Sequence, residues 1–267
     1  MHVLIIGAAG MIGRKLTQRL ARDSRLGESE NAALSLVDVA QPEKPARFLG
    51  RVSAERFDIA EAGAIEGVIP ARPDAIFHLA AVVSGEAEAD FEKGYRVNLD
   101  GVRSLLEAVR RRGRGTPYQP RFVFASSIAL FGAPFPRPIG DEFFATPLTS
   151  YGAQKAISEL LLCDYTRRGF SDGVALRLPT ICIRPGKPKR AASGFFSNIL
   201  REPLVGEEAV LPVFEDVRHW HASPSRPWDF SSTPRRWILP GWARAAHSPC
   251  WDFRRESSTG PDIRDGT

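Results

Sequence analysis

From residue 2 to about residue 180, short apolar runs alternate with longer stretches whose apolar residues recur at helical spacing. The runs His2 to Ile6, Ala33 to Val37, Ala75 to Leu79, Phe122 to Ala125 and Val174 to Leu178 are short and nearly continuous, as strands buried on both faces must be. Between them, Met11 to Leu20, Ala60 to Ile69, Phe91 to Val109 and Tyr151 to Tyr165 carry a helical stripe. Strands that alternate with helices specify an α/β fold, a doubly wound parallel sheet covered on both faces. No internal repeat is visible.

Residues 181–221 read differently. Pro185, Pro188, Pro203 and Pro212 break the pattern around Phe195, Phe196 and Ile199-Leu200, which predicts a small, incomplete substrate-binding part. Residues 222–267 change again: four of the five tryptophans, many Arg, Ser and Pro, no Lys, and almost no aliphatic periodicity. Such a stretch is expected to be either a disordered tail or, from about Pro224 onward, out-of-frame translation of a GC-rich gene. The division expected is 1–180 for a nucleotide-binding domain, 181–221 for the substrate part and 222–267 for an atypical tail.

Composition narrows the class. With 267 residues and 43% hydrophobic content the chain can bury a large core. Cys163, Cys182 and Cys250 are scattered and odd in number, which argues against a disulfide framework and against a zinc knuckle; no metal site is expected. The first strand begins at once, without a basic leader, and no run is long enough to span a membrane, so a cytoplasmic protein is expected. The net charge of +5 is concentrated in Arg110-Arg111-Arg112-Gly113-Arg114. Cations there complement the end of a helix that starts near Asp90 and stops at Gly113, so no nucleic-acid partner is expected.

Gly7-Ala8-Ala9-Gly10-Met11-Ile12-Gly13 follows the first strand and opens the first helix, the context in which a glycine pattern reads as a dinucleotide fingerprint. Gly7 permits the tight turn, Gly10 lets backbone approach a pyrophosphate, and Gly13 lets helix and strand pack closely. The N–H groups of the helix start, Met11 and Ile12 among them, face the phosphates. The fold predicted is therefore Rossmann-like. Asp38, at the end of the second strand, is placed to accept hydrogen bonds from both adenosine ribose hydroxyls, which favours NAD over a 2′-phosphorylated cofactor. Asp58-Ile59 is either an adenine flank or, through Asp58, a helix cap.

Tyr151 and Lys155 stand four residues apart in Ser150-Tyr151-Gly152-Ala153-Gln154-Lys155. On a helix that spacing puts phenol and ammonium on one face, one turn apart. A phenol of ordinary pKa near 10 is mostly protonated at neutral pH, and a neighbouring cation favours its ionised form, so the pair suits removal of a proton from an alcohol.

The glycine pattern, Asp38, His78-Leu79-Ala80-Ala81, Asn98, Ser126-Ser127 and the Tyr151 to Lys155 segment together resemble the extended short-chain dehydrogenase/reductase family, also called the NAD-dependent epimerase/dehydratase family, over roughly residues 1 to 221. Leu176-Arg177-Leu178-Pro179-Thr180, Arg184-Pro185-Gly186 and Ala192 to Phe196 resemble a branch that oxidises a four-carbon sugar acid at C2. The resemblance implies Tyr151 as general base, Lys155 as its activator and a ligand of the nicotinamide ribose, and Ser127, or else Ser126, as the holder of the reacting oxygen. It also implies that Ala80 and Ala81 line the cofactor cleft, that Pro179 meets the carboxamide end, and that Asn98 repairs a helix near the site. His78 is expected to be structural. Pairing into a homodimer through the helices of Phe91 to Val109 and Tyr151 to Tyr165 is implied as well.

Three departures sharpen the expectation. Phe131 replaces a common Tyr, Thr180 replaces a common Asn, and Ile128-Ala129 stands where sugar dehydratases carry Asp-Glu, so elimination of water is not expected. The substrate domain's closing elements do not follow His221. Two or more of Arg184, Lys187, Lys189 and Arg190 are candidates to bind a carboxylate, and Ser193 is a candidate substrate contact, which points to a small sugar-acid substrate. The competing expectations are an epimerase that returns its hydride and an impaired NAD-binding remnant.

Overall fold

The structure, a computed structural model, describes residues 1–26, 28–61, 63–134, 139, 143–183, 192–214 and 217–223. The chain runs through β1 (His2–Ile6), α1 (Met11–Asp23), the short antiparallel pair β2 (Arg25–Leu26) and β3 (Ser29–Glu30), then β4 (Ala33–Asp38) and β5 (Arg51–Arg56). It continues through α2 (Ala64–Val68), β6 (Ala75–His78), α3 (Ser84–Ala89), α4 (Phe91–Tyr95), α5 (Gly101–Arg112) and β7 (Arg121–Ser127). Last come α6 (Ser150–Arg167), β8 (Asp172–Leu178), β9 (Thr180–Ile181), α7 (Phe195–Arg201) and β10 (His221–Ala222).

Six strands pair in parallel in the order β5-β4-β1-β6-β7-β8. In chain order this is the 3-2-1-4-5-6 arrangement of a Rossmann-type sheet, reversing direction between β1 and β6. The pleat sorts the core. Val3 and Ile5 join Leu16, Leu20, Leu36 and Phe77 beneath α1, while Leu4 and Ile6 join Ile76, Leu105, Phe122, Phe124 and Leu162 beneath α5 and α6. Each such side chain contributes roughly 1.5–3 kcal/mol by leaving water.

β5 and α3 are among the elements not legible in the hydrophobic pattern. β5 reads Arg-Val-Ser-Ala-Glu-Arg and is exposed or half-buried throughout, because it is the sheet's edge and pairs only with β4. α3 is short and small-residue rich. The helix expected over 60–69 contracts to α2 and a 3₁₀ turn, Ile69–Ala71, entered at Pro70. The stretch expected from Phe91 to Val109 is helical, yet a wide π turn over Arg96–Asp100 separates α4 from α5. Its basic end is capped at Gly113, as expected.

Beyond β8, β9 pairs in parallel with β10, and α7 packs nearby. Arg184 to Arg190 and the tail from 224 lie outside the described residues. Cys182 is a free thiol. Among the described residues no helix is long and apolar enough to cross a membrane, and no cluster of His, Cys, Asp or Glu could hold a metal ion.

Candidate cofactor and catalytic site

The glycine turn sits where the strand order reverses, the place at which α/β sheets admit ligands. Gly7 has φ +92°, and a Cβ there would lie 2.5 Å from the Ala80 nitrogen and 2.8 Å from the Leu79 carbonyl carbon. The exit of β1 is thus pressed against the exit of β6. Gly13 is equally confined: a Cβ would strike the Gly7 carbonyl oxygen and come within 2.7 Å of the Ala8 Cα. Gly10 caps α1 with no side-chain bond to the helix, so the first N–H groups, including those of Met11 and Ile12, have no intrahelical acceptor.

Asp38 closes this cradle. One carboxylate oxygen accepts from Ala9 N at 3.0 Å and the other from Ala40 N at 3.1 Å. Each oxygen keeps a further lone pair for a ribose hydroxyl. Asp58 accepts from Ala60 N at 2.9 Å, a local turn contact, and does not cap α2, whose N-cap is Gly63. The Ile59 side chain is buried in the core, and Gly101 packs closely against it because it carries no Cβ, which would approach Ile59 to 3.1 Å.

Ala80 and Ala81 lie half-buried on the loop after β6. Asn98 holds the next residue, accepting from Val82 N at 2.8 Å and donating to Val82 O at 3.1 Å. It also donates to Gln154 Oε1 at 2.7 Å. Its side chain therefore fastens the loop to α6 and does not patch its own helix. Ser158 does that, donating to the Asn98 carbonyl at 3.1 Å beside the π turn. Gln154 and Ser158 were not singled out from sequence. Their signal was polarity on the face of α6 that carries Lys155, and both are fully buried.

Thr149 caps α6, accepting from Gly152 N at 3.1 Å, and Gly152 lets the helix start press on the Ala129 carbonyl just past β7. This places Tyr151 beside the end of β7. Lys155 is 2% exposed; its Nζ donates to Ala125 O at 2.7 Å and lies 4.6 Å from the Phe124 ring centre and 5.6 Å from that of Tyr151. Burial pulls the Lys155 pKa down to about 7, against an upward pull from Glu159.

The two serines separate cleanly. Ser126 is buried on the inner side of β7, and its hydroxyl has no partner. Ser127 is half-buried at the strand end, and its oxygen accepts from Ala129 N at 3.1 Å. That bond orients the hydroxyl and leaves its proton to donate. His78 is 1% exposed, packs against Phe122 and Phe124, and has neither ring nitrogen bonded. Burial, with Lys155 adding, lowers its pKa to about 3. It is a neutral core residue. Pro179 follows β8 and is buried, and Ser193 lies in the 3₁₀ turn before α7; Arg184 is outside the described residues.

The sequence matches the family described as NAD dependent epimerase/dehydratase over residues 3–231. The chain belongs to that family. Its cofactor is NAD, and it falls among NAD-dependent oxidoreductases. It is 46% identical over 228 residues to a D-erythronate dehydrogenase of Cupriavidus necator, covering 84% of this chain and 68% of that protein. It is 44% identical over 225 residues to the D-erythronate dehydrogenase of Haemophilus influenzae, covering 84% of this chain and 69% of the relative. A solved structure described as the nucleoside-diphosphate-sugar epimerase from Agrobacterium tumefaciens is 66% identical with a TM-score of 0.79, covering 84% of this chain and 66% of that one. The chain thus spans about two thirds of the length of these relatives. The cradle suits NAD on its own geometry: glycines stand where any side chain would fill the turn, and the Asp38 carboxylate would repel a 2′-phosphate.

Proposed function

We propose that this protein oxidises the C2 hydroxyl of a small sugar acid, D-erythronate or a close analogue, to the 2-keto acid. The observation that carries the reading is the Tyr151–Lys155 pair, with Lys155 anchored on Ala125 O at the same sheet end as the glycine cradle. Bound in that cradle, NAD supplies the hydride acceptor. Gly7, Gly10, Gly13, Met11 and Ile12 would hold its diphosphate, Asp38 its adenosine ribose, and Lys155 its nicotinamide ribose. Tyr151 takes the proton from the substrate hydroxyl, and Lys155 favours the phenolate by charge. Ser127 donates to the substrate oxygen and aligns it. Arg184 with its basic neighbours, and Ser193, would receive the carboxylate. In this reading residues 1–180 hold cofactor, 181–221 meet substrate, and two copies pair through α4–α5 and α6.

The 66% identity to a protein described as a nucleotide-sugar epimerase favours a second reading, in which the same Tyr151 chemistry is reversed on the other face of the ketone. Incubation with NAD and four- to six-carbon sugar acids, followed by nicotinamide absorbance, separates the two. Net reduced cofactor, lost in Tyr151→Phe, supports the dehydrogenase. Binding of NAD without net reduction, together with epimer formation from a nucleotide sugar, overturns it.

A further inference from the structure

Tyr151, Lys155 and Glu159 occupy successive i, i+4 positions on α6 and so form one row along the helix. Glu159 is 5% exposed as a residue and is held by Arg177 of β8 through three hydrogen bonds: Nε to both carboxylate oxygens at 3.2 Å and Nη2 to Oε2 at 2.9 Å. Arg177 lies next to Ser126 in the strand register, and its guanidinium sits 5.2 Å from the Phe131 ring centre. Both side chains are nearly free of solvent, at 5% and 6% exposure.

A buried ion pair of this kind is a poor source of stability, because desolvating two charges offsets most of their attraction. Its position one turn from the buried Lys155 gives it another consequence. We propose that Glu159 and Arg177 are positioning residues for the proton-transfer pair: Glu159 holds the Lys155 ammonium charged in a dry site, and Arg177 limits how strongly it does so. The inference rests on the reading of Tyr151 and Lys155 as the proton-transfer pair. Among the described residues, Glu159 is the group that opposes the downward pull of burial on Lys155. The other titratable groups near Lys155 among the described residues are Tyr151 on α6 and His78 on β6, which is neutral, while Arg177 on β8 acts through its contact with Glu159.

The sign follows from the charges. Removing the carboxylate, as in Glu159→Gln, leaves a cation at Arg177 and moves the Lys155 titration to lower pH. Removing the cation, as in Arg177→Met, leaves a carboxylate whose field is no longer balanced and moves it to higher pH. Each displacement should be about one pH unit or more, as for opposite charges a few ångströms apart in a partly buried site. A purely structural ion pair would lower stability in both variants and move the titration in neither.

The test is an NMR titration of full-length protein with Cε-labelled lysine in the presence of NAD, the Lys155 resonance being assigned by its loss in Lys155→Met. The chain holds six lysines, so the resonance is readily resolved. Opposite shifts in Glu159→Gln and Arg177→Met support the proposal. Shifts in the same direction, or none, overturn it. If either single variant fails to fold, the double variant Glu159→Gln, Arg177→Met replaces the pair by uncharged groups and should place the titration between the singles and below the wild type; an unchanged midpoint overturns the proposal. The readout requires no turnover, so a wrong substrate leaves it intact, whereas failure of Tyr151→Phe to abolish turnover would remove the reading beneath it.

Discussion

The Lys155 ammonium donates a 2.7 Å hydrogen bond to the carbonyl oxygen of Ala125, thirty residues earlier in the chain, and by it α6 is pinned to the exit of β7. Lys155→Met should lower turnover by about a hundredfold or more, since both the charge beside the phenol and the anchor are lost. It should also change stability with pH. Lys155 titrates at about 7 when folded and 10.5 in the unfolded reference. Between those values the unfolded chain binds more protons, so wild-type stability rises with pH across the window. Urea denaturation from pH 7 to 10 should show that rise in the wild type and its loss in Lys155→Met.

His78 titrates in the acid range by the same logic. Its folded pKa of about 3 lies below the ordinary histidine value of 6.5, so the unfolded state takes a proton first and stability falls as pH drops from 6.5 toward 3. The slope from this one group approaches about 1.4 kcal/mol per pH unit. His78→Leu, which keeps an apolar body in the core, should flatten that limb of a urea titration while retaining NAD binding.

Gly13→Ala should weaken NAD binding at least tenfold in calorimetry and lower the melting temperature, because the added methyl meets backbone on both sides. Gly67→Ala is the control. Its Cβ would meet nothing within 4 Å, and it lies inside α2, so the substitution should leave binding unchanged and stability equal or higher.

Asp38→Ala removes the acceptor of two backbone N–H groups as well as the carboxylate proposed to meet the adenosine ribose. NAD should bind about tenfold more weakly, and discrimination against NADP should relax as the repelling carboxylate goes. Calorimetry with the two cofactors measures both effects.

The parallel sheet was legible because its central strands, β1 and β6 among them, are apolar on both faces and leave a continuous run in the sequence. β5 escaped because an edge strand owes its place to main-chain pairing and not to side-chain burial. In the site, the glycine turn and the Tyr151–Lys155 spacing were readable since each depends on local geometry. The clamp from Asn98 to Val82 and Gln154 was not, because it joins positions 16 and 56 residues apart that no periodicity links. The burial of Ser126 and the partial exposure of Ser127 on β7 were likewise not readable from the Ser-Ser pair alone.

The contact of Gly7 with the Ala80 backbone has an evolutionary corollary. Two crossing segments that touch main chain to main chain leave no side chain to be exchanged between them. On the proposed division of the chain, selection would rewrite residues 181–221 for a new alcohol while the seat of the dinucleotide stays in register with the phenol. Diversity of substrate and constancy of redox chemistry would then be inherited from separate parts of one chain.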